Sequence, residues 1–147
     1  MARAETQTSA IRATASSEES SRTNLAANAI DGNRDTRWCA NGGGSNQWLQ
    51  LDFGSVQRIG GLEIDWEFRD RIYGFTIEGS TDAATWTRLA ADTGTSGQRI
   101  PFVARARYIR IRVTSIPDKK WASIREITPL DFGGHPIGNA RPSAPAP

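Results

Sequence analysis

The chain has 147 residues, 37% hydrophobic and 23% charged, with a formal net charge of +2 from 18 basic and 16 acidic side chains. That is one domain with apolar residues enough for a core, no apolar run near the ~20 residues of a membrane span, and no concentrated basic patch of the kind nucleic acid requires. Its one cysteine, Cys39, cannot form an intrachain disulfide, and its one histidine, His135, leaves no partner set for a nucleophilic triad or a zinc site.

In chain order, residues 1–8 are polar and unpatterned and read as a disordered lead-in, with no apolar secretion signal. The folded body spans residues 9–132. Its first element is Leu25-Ala26-Ala27-Asn28-Ala29-Ile30, one or two helical turns with Asn24 placed as N-cap. Beyond it the periodicity is two. Leu49, Leu51 and Phe53 alternate with Gln50 and Asp52, Gly54-Ser55 turns the chain, and Leu62, Ile64 and Trp66 share a face. Phe75 and Ile77 repeat the pattern before a turn at Ser80-Thr81-Asp82. Short strands follow over 86–89, 99–103, 108–113 and 123–130. Such strands, set apart by turn signals, specify an all-β antiparallel sandwich or barrel. In Tyr108–Val113 arginines alternate with apolar residues, the mark of a solvated strand face. Residues 133–147 are rich in Pro, Ala and Gly and read as a linker toward another domain.

Trp38, Trp48, Trp66 and Trp86 lie in or beside strands and read as core. Trp121 sits between Asp118-Lys119-Lys120 and the last strand, where no pattern requires burial, and is the aromatic candidate for a ligand platform. Cys39, beside Trp38, reads as a small buried hydrophobe. The Gly42-Gly43-Gly44 run lacks the helix and Lys-Ser/Thr of a phosphate cradle.

The most informative segment is Asn28-Ala29-Ile30-Asp31-Gly32-Asn33-Arg34-Asp35-Thr36-Arg37-Trp38. Its oxygens, clustered around a glycine, can wrap a hard cation such as calcium, although the spacing is not that of an EF-hand. The same residues also make an Asx-stabilised turn without an ion. Spacing alone leaves both readings open.

Together with Gln47-Trp48-Leu49-Gln50-Leu51-Asp52-Phe53-Gly54, that segment resembles the discoidin, or coagulation factor type C, family. Tyr73–Asp82, Trp86, Arg107–Ile111 and Ser123–Ile127 follow in the family's order, so the resemblance covers about Ser9 to Leu130. It is most similar to the bacterial branch called carbohydrate-binding module family 32. The animal branch ties its ends with a disulfide, which a single cysteine excludes.

The resemblance implies an eight-stranded antiparallel jelly-roll β-sandwich with a ligand site in the loops at one end. It also implies a structural calcium held by the carbonyls of Asn28, Asn33, Thr36 and Arg125, the Asp31 and Glu126 carboxylates and the Thr36 hydroxyl. Arg37 and Glu67 stand where one subset of the family grips a sugar, and Glu18 or Glu19 where it offers another carboxylate. Asn41 and Trp121 border them, and Arg69 is a further candidate.

The link from Glu67 to Ile72 is short and the body holds no histidine, which departs from the galactose-binding pattern. The carboxylates point instead to a β-linked glucan or a chitosan-type amino-sugar polymer. The expectation is a non-catalytic, monomeric, secreted module that targets a covalently linked catalytic domain to its polysaccharide, with no nucleic-acid or membrane partner. Two rival readings are weaker. A glycoside hydrolase acting through Glu18 and Glu67 lacks a cleft to raise a carboxyl pKa. Adhesion or phospholipid binding has only Phe68 and Trp121 to offer at the loop tips.

Overall fold

The computed structural model describes residues 11–94 and 97–137. The expected lead-in over residues 1–8 and the linker beyond Ile137 lie outside the described residues. Among the described residues there are seven strands: β1 (Arg12–Ala15), β2 (Trp38–Cys39), β3 (Gln47–Trp66), β4 (Tyr73–Ser80), β5 (Thr87–Gly94), β6 (Gln98–Ser115) and β7 (Ser123–Leu130). All pairings are antiparallel, in the order β2-β7-β3-β6-β4-β5, with β1 also on β3.

The expected count of eight is corrected to seven, and the reason lies in β3 and β6. Each serves both layers of the sandwich. The first half of β3 pairs with the second half of β6 (Gln47↔Val113 to Asp52↔Tyr108), and the second half with the first (Gln57↔Ala106 to Ile64↔Gln98). Segments that read as separate strands are therefore continuous, broken only by irregular register between Asp52 and Gln57 and between Ile59 and Gly61. Gly54, at φ 81°, makes the bend. At Gly60 a Cβ would lie 2.4 Å from the carbonyl oxygen of Asp131, so only glycine lets the chain beyond β7 approach β3.

The core follows the alternation. Leu49, Leu51, Phe53, Leu62, Ile64, Trp66, Phe75 and Ile77 are buried, joined by Ile109, Ile111 and Val113 from β6. Burying each such side chain contributes ~2 kcal/mol. Trp38 and Cys39 are buried as expected. Trp48 and Trp86 are not core. Both are half-buried on the outer face, where the Arg110 guanidinium lies 4.0 Å from one ring centroid and 4.3 Å from the other. Trp48 precedes the inward Leu49, so period-two geometry sends it outward.

Two further expectations change. The turn near Leu25 is a 3₁₀ helix, Ala26–Ile30, with Leu25 rather than Asn24 as N-cap. The Asn24 amide instead donates to Glu19 Oε1 at 2.8 Å. Residues 133–137, read as the start of a linker, belong to the body: the Ile137 N–H donates to the Pro129 carbonyl at 2.9 Å, and Leu130 bridges Pro136.

Candidate functional site

Registers set the two ends of the sandwich. Gln47, Trp66, Tyr73, Val113 and Ser123 stand at one end, so the connections 16–24, 40–46, 67–72 and 116–122 cluster there. They enclose a cavity of about 320 Å³ lined by Glu19, Arg22, Arg37, Cys39, Glu67, Phe68, Lys119, Lys120 and Trp121.

Local chain chemistry sets each wall. The Lys120 N–H donates to the Pro117 carbonyl, and Lys119 takes the left-handed conformation at φ 62°. That turn carries Lys120 Nζ to 4.5 Å from the Phe68 ring centroid. A Cβ at Gly43 would meet the Trp121 indole at 3.5 Å, so the glycine loop backs this ring while 38% of Trp121 stays exposed.

The floor is Arg37 beside Glu67, with Nε 3.3 Å from Oε2. The approach is an ion pair, not a hydrogen bond: Arg37 Nε is buried with no acceptor for its N–H. Beneath, Ser123 Oγ is likewise buried without a partner. Burial, reinforced by the Glu19 and Glu67 charges, pushes the Cys39 thiol up to about 11. Burial also drives Tyr73, stacked 4.3 Å from Trp66, up to about 12.

Of the expected ligand residues, the fold brings together Arg37, Glu67 and Trp121. Of the two first-loop candidates, Glu18 Oε2 accepts the Ala26 N–H at 2.8 Å at the start of the 3₁₀ helix, and Glu19 lines the cavity. Arg69 pairs with Asp65 at 3.4 Å, outside the cavity lining. Asn41 is exposed and also outside it, its N–H spent on Ser17 Oγ at 2.9 Å. Arg22 and Lys119, outside the expected set, also line the cavity. The run Asp118-Lys119-Lys120-Trp121 signals Lys119 in the sequence, and Arg22 stands far from it.

The expected metal ligands converge on the adjacent loop. Thr36 Oγ1 lies 2.5 Å from Asp31 Oδ2, 2.9 Å from the Asn33 carbonyl and 3.5 Å from the Asn28 carbonyl. One hydroxyl proton cannot serve three acceptors. Across from them Glu126 Oε2 accepts the Gly32 N–H at 3.1 Å, while Glu126 Oε1 is buried with no partner. Burial pushes this carboxyl up to about 7. Crowded hard oxygens and an orphaned carboxylate oxygen fit a calcium-type ion. Arg125 enters through its side chain, which donates to the Arg34 carbonyl at 3.0 Å and the Glu67 carbonyl at 3.3 Å, bracing this loop against the cavity floor.

Comparison with known proteins follows the same lines. Residues 12–127 match the F5/8 type C domain family. No curated protein sequence matches the chain. Among solved structures, a pectin-binding carbohydrate-binding module is 28% identical, with a TM-score of 0.75 over 88% of this chain and 96% of its own. The family 32 module of AlyQ, solved with 4,5-unsaturated mannuronic acid, is 33% identical, with a TM-score of 0.71 over 84% and 96%. A truncated AlyQ joins that module to an alginate lyase domain. Chitosan-binding module 1 of a Paenibacillus sp. IK-5 chitosanase/glucanase is 31% identical, with a TM-score of 0.72 over 81% and 93%.

Proposed function

The chain belongs to the F5/8 type C domain family, and from that premise we propose that it is a non-catalytic module holding a uronate-bearing polysaccharide in the loop cavity. The carrying observation is the state of the charges there. Four cations, Arg22, Arg37, Lys119 and Lys120, line the cavity against two carboxylates, Glu19 and Glu67. Both carboxylates are engaged within the protein, Glu19 by Asn24 and Arg22 and Glu67 by Arg37. Lys119 and Lys120 face no carboxylate in an ion pair among the described residues. An amino-sugar polymer would need free carboxylates. A uronate finds free ammonium groups, a planar guanidinium and the Trp121 indole for its ring.

Relatives that bind pectin or an unsaturated mannuronate support this reading, and chitosan-binding relatives keep the amino-sugar reading as the rival. Shallow sites of this kind bind weakly, on the order of micromolar to millimolar, ~4–8 kcal/mol. Such affinity would serve a secreted catalytic partner by raising its local concentration on the polymer, and AlyQ carries its module together with a lyase domain. Calcium, if held by the carbonyls of Asn28, Asn33, Thr36 and Arg125, the Asp31 and Glu126 carboxylates and the Thr36 hydroxyl, would supply the positive charge to pin the first loop to β7.

The test is affinity electrophoresis through gels containing polygalacturonate, alginate, chitosan or laminarin. Retardation by a uronate polymer, weakened by salt and lost in Lys120→Glu, is expected. Retardation by chitosan or laminarin alone overturns the uronate assignment.

A further inference from the structure

The end of the sandwich opposite the loops holds a second cleft, of about 510 Å³. Here β3 turns at Gly54 and β6 passes from Ala106 to Tyr108, and here Arg58 and Arg105 stand directly opposite each other across the β3–β6 ladder. Both are exposed and both line the cleft, with Val56, Gln57, Pro136 and Ile137 around them. Arg105 also lines an adjoining cleft of about 360 Å³ that presents Thr81, Thr85 and Thr87.

Like charges in directly opposed positions destabilise a sheet. The other arginines of β6 meet a partner: Arg107 meets Asp52 at 2.8 Å, Arg99 meets Glu63 at 3.2 Å and Arg112 meets Glu78 at 3.3 Å, while Arg110 donates to Gln50 Oε1 between two indoles. Arg58 and Arg105 make no ion pair among the described residues. Asp131, the carboxylate on the cleft, is occupied by its own turn. Its Oδ1 accepts the Gly133 and His135 N–H groups, each at 2.9 Å, and the His135 hydrogen bond leads the effects that hold its carboxyl below the usual range.

We propose that Arg58 and Arg105 form a second binding site, for an oxyanion carried by an acidic polysaccharide, a uronate carboxylate or a sulfate ester. Two guanidinium forks from facing strand positions can each offer a pair of parallel N–H donors, the geometry that carboxylate and sulfate oxygens accept. A bound oxyanion also removes the repulsion between the two side chains. Nine residues of β3 separate Arg58 from Glu67, so the two sites lie roughly 30 Å apart along the strand. A short oligosaccharide fills one site or the other. A polymer engages both ends and gains avidity. The identity of the polymer rests on the reading of the loop cavity; the oxyanion site does not.

The experiment follows the arginine side-chain Nε–H resonances by nitrogen-15 NMR during titration with sodium sulfate and, separately, with short oligogalacturonate. The proteins are wild type, Lys120→Glu and the double variant Arg58→Ser/Arg105→Ser. Saturable shifts at Arg58 and Arg105 are expected in the wild type and in Lys120→Glu. In polygalacturonate gels the double variant should bind at least about threefold more weakly than the wild type, with its melting temperature kept or raised. A response to oligogalacturonate assigns a uronate, and a response to sulfate alone assigns a sulfate ester. In the sulfate-only case polygalacturonate retardation stays at wild type and the loss moves to gels cast with a sulfated polymer. Shifts that never saturate, or that appear equally at Arg88, overturn the site. Loss of retardation in Lys120→Glu with the Arg58 and Arg105 shifts intact separates the two readings.

Discussion

Arg37 Nε stands 3.3 Å from Glu67 Oε2, and this ion pair forms the floor of the loop cavity. The two residues come from chain segments thirty positions apart. Glu67 holds the guanidinium by charge at the cavity floor, and the position of that group bears on where a sugar carboxylate or hydroxyl can dock. Glu67→Ala should therefore weaken polymer binding about tenfold, ~1.4 kcal/mol, by freeing Arg37. Gel retardation by polygalacturonate measures it, and wild-type retardation would remove Glu67 from the site.

Glu18 gives the opposite expectation. Its carboxylate satisfies the Ala26 N–H at the start of the 3₁₀ helix. Glu18→Ala should cost ~1 kcal/mol of stability, as loss of a cap does, with polymer affinity unchanged. Urea unfolding and gel retardation on the same protein separate the two effects.

Calcium should stabilise by mass action. With free ion about a thousandfold above its dissociation constant the gain is ~4 kcal/mol, or roughly 10 °C in melting temperature for a domain of this size. EDTA should remove that gain, and Asp31→Ala should abolish the response to both calcium and EDTA. A melting curve indifferent to both reagents would leave the oxygen cluster as an Asx-type turn.

Stability should fall at alkaline pH. The folded state holds the Cys39 proton to about 11 against a reference of 9.0, and the Tyr73 proton to about 12 against 10.0. Above pH 9 the unfolded chain therefore binds fewer protons than the native one, and stability drops as pH rises. The Cys39 contribution disappears between 9 and about 11, and the Tyr73 contribution between 10 and about 12. Urea midpoints at several pH values should show the decline, and Cys39→Ala and Tyr73→Phe should each flatten their own part of it. At pH 8 the native thiol should resist a disulfide reagent that titrates it fully in denaturant.

On the outer face, Arg110 lies between the Trp48 and Trp86 rings and donates to Gln50 Oε1 at 2.7 and 3.1 Å. Arg110→Ala should cost ~1–3 kcal/mol and Arg110→Lys part of that, since an ammonium cannot stack flat on two indoles. Chemical unfolding followed by tryptophan fluorescence reads both.

Alternation in the sequence identified the buried faces of β3 and β4, because a strand's side chains alternate whatever it pairs with. The same rule, applied with Leu49 inward, puts Trp48 outside. The size and apolarity of Trp48 favour burial, but its position in the alternation decides the outcome. The segment Asn28 to Trp38 was legible as a cation loop or turn, since its ligand types lie within one short stretch.

By itself the sequence determined the all-β class, the family and the loop that could hold calcium, all features written in local order and spacing. Only the tertiary structure decided which charges are free. Glu18 and Glu19 are neighbours in sequence, yet one caps a helix and the other lines the cavity. Arg107 has Asp52 beside it, whereas Arg105, two residues earlier, faces Arg58. Those partners come from β3, some fifty residues away, and strand register selects them. Register is set by the packing of the whole sandwich, so no local pattern of charges can reveal it.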